Sequence, residues 1–235
     1  MTEPDRPRDE PDRLGDLKDP SGLTSRTGGP SHDAIVLAGG SGSRLGGVDK
    51  AALVVAGRPL LDRVLGAAAA ARAVVVVGPV EVPDGIRQVV EDPPGGGPVA
   101  GIAAGFAALE PPPGAARPGW TLVLAVDQPA AVAAVPAVLA AAASADPATG
   151  LVCHRDTGGH PQWLLAAYRT AALARALGQV GTGHGVSVRR LVADLTILDV
   201  TEGSGHVGDV DTWEDHRAWQ ERLSSGDGTL GPQAR

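Results

Sequence analysis

The chain of 235 residues carries a formal net charge of −7, which disfavours nonspecific attraction to nucleic acid or to an anionic membrane. Its single cysteine, Cys153, excludes a disulfide framework and a cysteine-based zinc site. No apolar run approaches the length of a membrane span and no signal-peptide pattern opens the chain, so a soluble cytoplasmic protein is expected.

Residues 1–32 are rich in Asp, Glu, Arg, Pro and Gly and nearly devoid of large apolar side chains. Such a segment buries too little surface to offset its ordering entropy, and a disordered tail is expected there. The stretch from Ser224 to the end has the same character, leaving residues 33–223 as one domain. Within it, strand-like apolar runs alternate with helical ones. Ala34–Ala38 reads as a strand, and Ala51–Val55 as a short one leading to a turn at Gly57-Arg58-Pro59. Leu60–Ala71 has leucine and valine at helical spacing. Ala73–Val77 is an unbroken β-branched run, the mark of a strand buried on both faces, and Ile86–Val90 reads as another strand. Val99–Leu109 is a predicted helix, Thr121–Val126 a strand and Val132–Ala143 an alanine-rich helix. The spacing then predicts strands over Gly150–His154, Gln162–Tyr168 and Thr196–Val200. Helices are predicted over Thr170–Leu177, Val186–Leu191 and Thr212–Leu223. Alternation of this kind predicts a single-domain α/β sandwich of three layers, Rossmann-like, with a mostly parallel sheet and helices on both faces.

The stretch Ala34–Lys50, AIVLAGGSGSRLGGVDK, organises the chemistry. A buried strand empties into five glycines within nine residues, with Arg44 inside the loop and Lys50 at its end. Many backbone N–H groups in a glycine-rich turn make a concave anion site, to which a guanidinium and an ammonium add charge. Two familiar phosphate loops do not fit. A Walker A loop needs lysine where Val48 stands, and a dinucleotide loop needs a third glycine where Leu45 stands. In open α/β sheets ligands bind beyond the carboxyl ends of the strands. The glycine loop, Asp92 and Asp127 all fall at such ends, and carboxylates beside bound phosphate imply a magnesium ion between them.

The loop, read as LAGGxSxRLGxxDK, resembles that of nucleotidyltransferases, and four islands together resemble the molybdenum-cofactor guanylyltransferases. These are Leu37–Gly40 with Arg44, Gly46 and Asp49-Lys50; Glu91-Asp92 with Gly97–Gly101; Asp127-Gln128-Pro129; and Gly159-His160-Pro161 with Asp209–Thr212 and Glu214-Asp215. The resemblance implies the nucleotide-diphospho-sugar transferase fold. It also implies Mg²⁺-dependent transfer of GMP from GTP to molybdopterin, with release of pyrophosphate. It assigns nucleotide contacts to the backbone of Leu37, Ala38, Gly39 and Gly40, and the triphosphate to Lys50. The guanosine falls to Asp92, the metal to Asp127 and the leaving pyrophosphate to Arg44. The 97–101 loop, with Gly97, lies beside the base. The partners it implies are GTP, molybdopterin and, transiently, other molybdenum-cofactor proteins, with no nucleic acid and no membrane.

The sequence departs from the family in places. Gly78 replaces an asparagine that contacts the nucleotide, so a contact there must come from backbone. Gln128 stands where Met or Thr is usual, Ala130 replaces an aromatic and Trp213 replaces a proline. A sibling enzyme using CTP or a sugar phosphate, and a non-catalytic nucleotide-binding regulator, are the alternatives. His154 and His160 lack a third zinc ligand. Arg189-Arg190 suits either an anionic acceptor or a solvated helix face, and Gly203–His206 reads as a loop. Trp213 and Trp219, at near-helical spacing, read as core packing.

Overall fold

The structure is a computed structural model that describes residues 29–40, 45–201 and 205–225. Arg44 lies outside the described residues, as do Gly203 and Ser204 of the 203–206 loop and most of the two expected tails. In chain order the elements are β1 (His32–Leu37), β2 (Val54–Val55), β3 (Arg58–Pro59), α1 (Leu60–Ala67), β4 (Val74–Val77), β5 (Arg87–Val89), α2 (Pro98–Ala108) and β6 (Trp120–Ala125). They continue with α3 (Ala131–Ala143), β7 (Leu151–Arg155), β8 (Pro161–Arg169), α4 (Thr170–Val180), α5 (Val188–Leu191), β9 (Ile197–Val200) and α6 (Trp213–Ser224).

Seven strands form one sheet in the order β5-β4-β1-β6-β8-β7-β9. All pairings are parallel except those of β8, which runs against both β6 and β7. The central strand β1 is buried along its whole length, as its uninterrupted apolar run demands when helices cover both faces. Side-chain parity divides the core. Ala34, Val36, Val76, Leu122 and Leu124 pack under α1, α3 and α6, while Ile35, Leu37, Val75, Val77 and Val123 pack under α2, α4 and α5. Three layers result, and the carboxyl ends of β1, β4, β5 and β6 share one edge.

The reversed strand β8 places its beginning, Pro161, at that same edge, opposite Arg155 at the end of β7. The β7–β8 turn at 156–160 therefore lies at that edge. So does the segment after β9, whose Val210 N–H donates to the Asp127 carbonyl at 3.0 Å.

Four local expectations need correction. The turn expected at Gly57-Arg58-Pro59 lies one step earlier, because Arg58–Pro59 pairs with Val54–Val55 as a hairpin. Ala56 and Gly57 form its two-residue loop with φ of 46° and 74°, the geometry that matches strand twist. Helix α1 stops at Ala67 and not Ala71, and Arg72 turns back so that its N–H donates to the His32 carbonyl. Trp213 does not pack in the core. It is 47% exposed with its ring edge against His216, whereas Trp219 is buried. The helix expected over 186–191 is a single turn, with Arg189 and Arg190 exposed.

Candidate active site

A cleft of about 680 Å³ opens at the carboxyl edge, and Leu37, Gly39, Gly40, Lys50, Gly97 and Asp127 all line it. Lys50 is held there by its neighbours. Leu45 and Ala51 on either side are buried, Asp49 Oδ1 accepts the Ala51 N–H at 2.9 Å, and Leu53 N–H donates to the Lys50 carbonyl. Asp127 leaves β6 at the point where Gln128 and Pro129 turn the chain into α3.

Two carboxylates converge on the lysine. Lys50 Nζ donates to Asp127 Oδ2 at 3.1 Å and to Asp211 Oδ1 at 2.6 Å. Asp211 is fixed by the start of α6, whose capping box joins Thr212 and Asp215, and its own N–H donates to Asp215 Oδ2 at 3.2 Å. Burial works to discharge the ammonium, yet the bond to Asp211 and the charge of Asp127 together outweigh it and raise the Lys50 pKa. Asp209, partly buried and close to both carboxylates, is pushed up by desolvation first and by their negative charge second. The thiol of Cys153 on β7 is pushed up to about 11, mainly by burial.

Other expected residues sit differently. Ala38 is buried, and its N–H donates to the Val77 carbonyl while the Leu37 carbonyl accepts from Val126, so both residues are held in the sheet. Gly78 is outside the lining of the cleft. Its N–H donates to the Val89 carbonyl, its own carbonyl accepts from Gln88 Nε2 at 2.8 Å, and it adopts φ of 140°. A Cβ there would meet the Ala38 carbonyl carbon at 2.7 Å, so the position has no room for asparagine or any other side chain. Asp92 is exposed and outside the lining; Glu91 is the carboxylate of that segment that borders the cleft. His160 is exposed and paired with Asp156 at 3.3 Å, while His154 is buried against the Ala134 carbonyl.

Asp211 and Leu164 also line the cleft, and sequence spacing alone assigned neither to it. The signal for Asp211 lay in the Asp209–Thr212 run, which was visible as a motif without a partner. Among the described residues no three His, Cys, Asp or Glu side chains gather to hold a metal. Asp127 and Asp211 instead outline a cation position with hard oxygen donors on one side. That suits magnesium, which takes one or two carboxylates and completes its shell with phosphate oxygens and water.

The sequence pattern of the MobA-like NTP transferase domain matches residues 34–198. The probable molybdenum cofactor guanylyltransferase of Deinococcus radiodurans is 35% identical over 167 residues, covering 70% of this chain and 81% of that protein. The molybdenum cofactor guanylyltransferase of Acidiphilium cryptum is 36% identical over 176 residues, covering 72% and 79%. In fold, the chain is similar to molybdopterin-guanine dinucleotide biosynthesis protein A from Archaeoglobus fulgidus. That likeness has a TM-score of 0.62 at 20% identity and spans 82% of this chain and 99% of that one.

Proposed function

The chain belongs to the MobA-like NTP transferase family and is a nucleotidyltransferase, and from that premise we propose that it moves GMP from GTP onto molybdopterin and releases pyrophosphate. The observation that carries the reading is the Lys50 ammonium set between Asp127 and Asp211 in a cleft rimmed by Gly39 and Gly40.

In this reading the backbone of Gly39 and Gly40, with Leu37 and Ala38 held in the sheet behind them, carries the nucleotide and Lys50 faces the triphosphate. Its raised pKa keeps it charged throughout the neutral range. Arg44, one residue before Leu45, belongs to the same loop and is assigned to the pyrophosphate. Asp127 holds magnesium, which when bound withdraws charge from the phosphate oxygens. Catalysis then rests on positioning and charge. The attacking phosphate of the acceptor is already ionised, so no general base is required, and Lys50 with the loop amides faces the charge that grows as pyrophosphate leaves. Leu37, Val77, Ala125 and Leu164 give the cleft apolar walls that strengthen these interactions by excluding water. The folded domain is assigned to 33–223, and working contacts with other molybdenum-cofactor proteins in the cytoplasm follow from the activity.

The test is pyrophosphate release by the purified chain with Mg²⁺ and molybdopterin, comparing GTP, CTP, ATP and UTP. Release with GTP alone, dependent on molybdopterin, supports the proposal. Release with CTP alone gives the site to a cytidylyl transfer, and nucleotide binding without turnover makes the chain a regulator.

A further inference from the structure

We propose that Glu91, and not the neighbouring Asp92, reads the nucleobase, by accepting the adjacent N1–H and 2-amino donors of guanine. This rests on the GTP reading and names the residue that makes it selective.

Four carboxylate and ammonium side chains line the cleft, and three of them, Lys50, Asp127 and Asp211, are bound to one another. Glu91 is the lining carboxylate outside those pairs. It follows β5, whereas Asp127 follows β6, and in the order β5-β4-β1-β6 these positions lie three inter-strand spacings apart, about 14 Å. That separation is comparable with the reach from the edge of a base to its triphosphate. A nucleotide whose phosphates lie at Lys50 therefore brings its base to Glu91.

Glycine and apolar residues line the space between. Gly95, Gly97, Pro98 and Gly101 form one wall, with Leu37 and Val77 beside them. A Cβ on Gly101 would stand 3.1 Å from Leu37 Cδ2 and 3.6 Å from Val77 Cγ1, so the glycine lets α2 pack closely on the sheet beside the cleft. Glu91 is fixed at its edge by the same loop, since Gly95 N–H donates to Glu91 Oε1 at 3.1 Å.

A carboxylate at the edge of a ring slot discriminates by the pattern of donors it meets. Guanine presents two neighbouring N–H groups, which the two carboxylate oxygens accept together. Adenine and cytosine present one amino group beside an unprotonated ring nitrogen, and uracil presents one N–H between two carbonyls. In each of those a lone pair faces the negative charge. Asp92, one residue on, is exposed and outside the cleft.

The experiment is calorimetric titration of the full chain with Mg²⁺ and GTP, ITP, ATP or CTP, for wild type, Glu91→Gln and Asp92→Asn. ITP lacks the 2-amino group. Wild type is expected to favour GTP over ITP by about 10- to 100-fold, the worth of one hydrogen bond to a charged acceptor. Glu91→Gln keeps an oxygen for the Gly95 N–H but turns the preference into near-equality, mostly through weaker GTP binding. Asp92→Asn leaves the ratio intact. Equal losses for GTP and ITP in Glu91→Gln, or an unchanged ratio, overturn the assignment, as does loss of the ratio in Asp92→Asn. Wild type that binds ATP or CTP as well as GTP overturns the guanylyl reading itself and this inference with it. A GTP preference that survives Glu91→Gln overturns this inference alone.

Discussion

Lys50 carries a charge into a partly buried place and is compensated twice, by Asp127 and by Asp211. Removing it leaves two neighbouring carboxylates uncompensated in a partly enclosed cleft and takes one positive charge from the triphosphate. Lys50→Met and Asp127→Asn are each expected to lower turnover by about two to three powers of ten, the usual effect of losing one charged contact to a transition state. Both should unfold within a few degrees of wild type, and a coupled pyrophosphate assay with thermal melts separates the two readouts. Gly78 makes a different demand. With its φ of 140° and the Ala38–Gly39 peptide against its missing Cβ, Gly78→Ala is expected to cost about 1–3 kcal/mol of stability, measurable by urea titration. At this scale the sequence was legible for residues whose neighbours along the chain carry the signal. Lys50 ends the glycine loop and Asp127 ends a strand, and the cleft brings the two together. It was not legible for Glu91 against Asp92, since the two differ only in which way one loop turns. Nor was Trp213, whose spacing from Trp219 suits a buried face while the start of α6 stands too far out to be covered.

Elements place those residues. Helix α6 begins with a reciprocal cap in which Asp215 N–H donates to Thr212 Oγ1 while Asp215 Oδ2 accepts from the Thr212 backbone. Thr212→Ala is expected to cost about 1 kcal/mol of stability, and to lower activity as well, because the same turn holds Asp211. A denaturant series and a rate comparison on one preparation check both. The Asp215 carboxyl is held below its ordinary value by the Thr212 side chain, so its share of the cap is present above about pH 4 and fades as pH falls through the lowered value. On β7, burial raises Cys153 to about 11, leaving a protonated and enclosed thiol at pH 8. A disulfide reagent is expected to modify it only after unfolding in guanidinium, and prompt reaction with the native chain would contradict that burial. The types of β1, β4 and β6 could be read from unbroken apolar runs, because these strands are covered on both faces. Their ends could not. The hairpin of β2 and β3 is two residues long on each side, too short for any period to register.

The whole molecule couples stability to occupancy. Ligand that binds the folded state at 100 times its dissociation constant adds about 2.7 kcal/mol. For a chain of this size that raises the melting temperature by roughly 5 to 10 °C. Mg²⁺ with GTP is expected to give a shift of that order, and GTP with a chelator a smaller one, which a dye-monitored melt reads directly. The parallel, three-layered plan was legible from alternation of strand and helix, whereas the strand order and the reversal of β8 depend on contacts between residues far apart in the chain. That reversal has a consequence for descent with modification. Strands β1, β4 and β5 lie toward one end of the sheet, and the 156–160 turn joins β7 to β8, each of which pairs with a further strand as well, β9 and β6. Insertions in that turn extend a loop at the carboxyl edge of the sheet without stretching a crossover or moving Lys50. The turn's length can therefore change while the cluster of Lys50, Asp127 and Asp211 keeps its geometry.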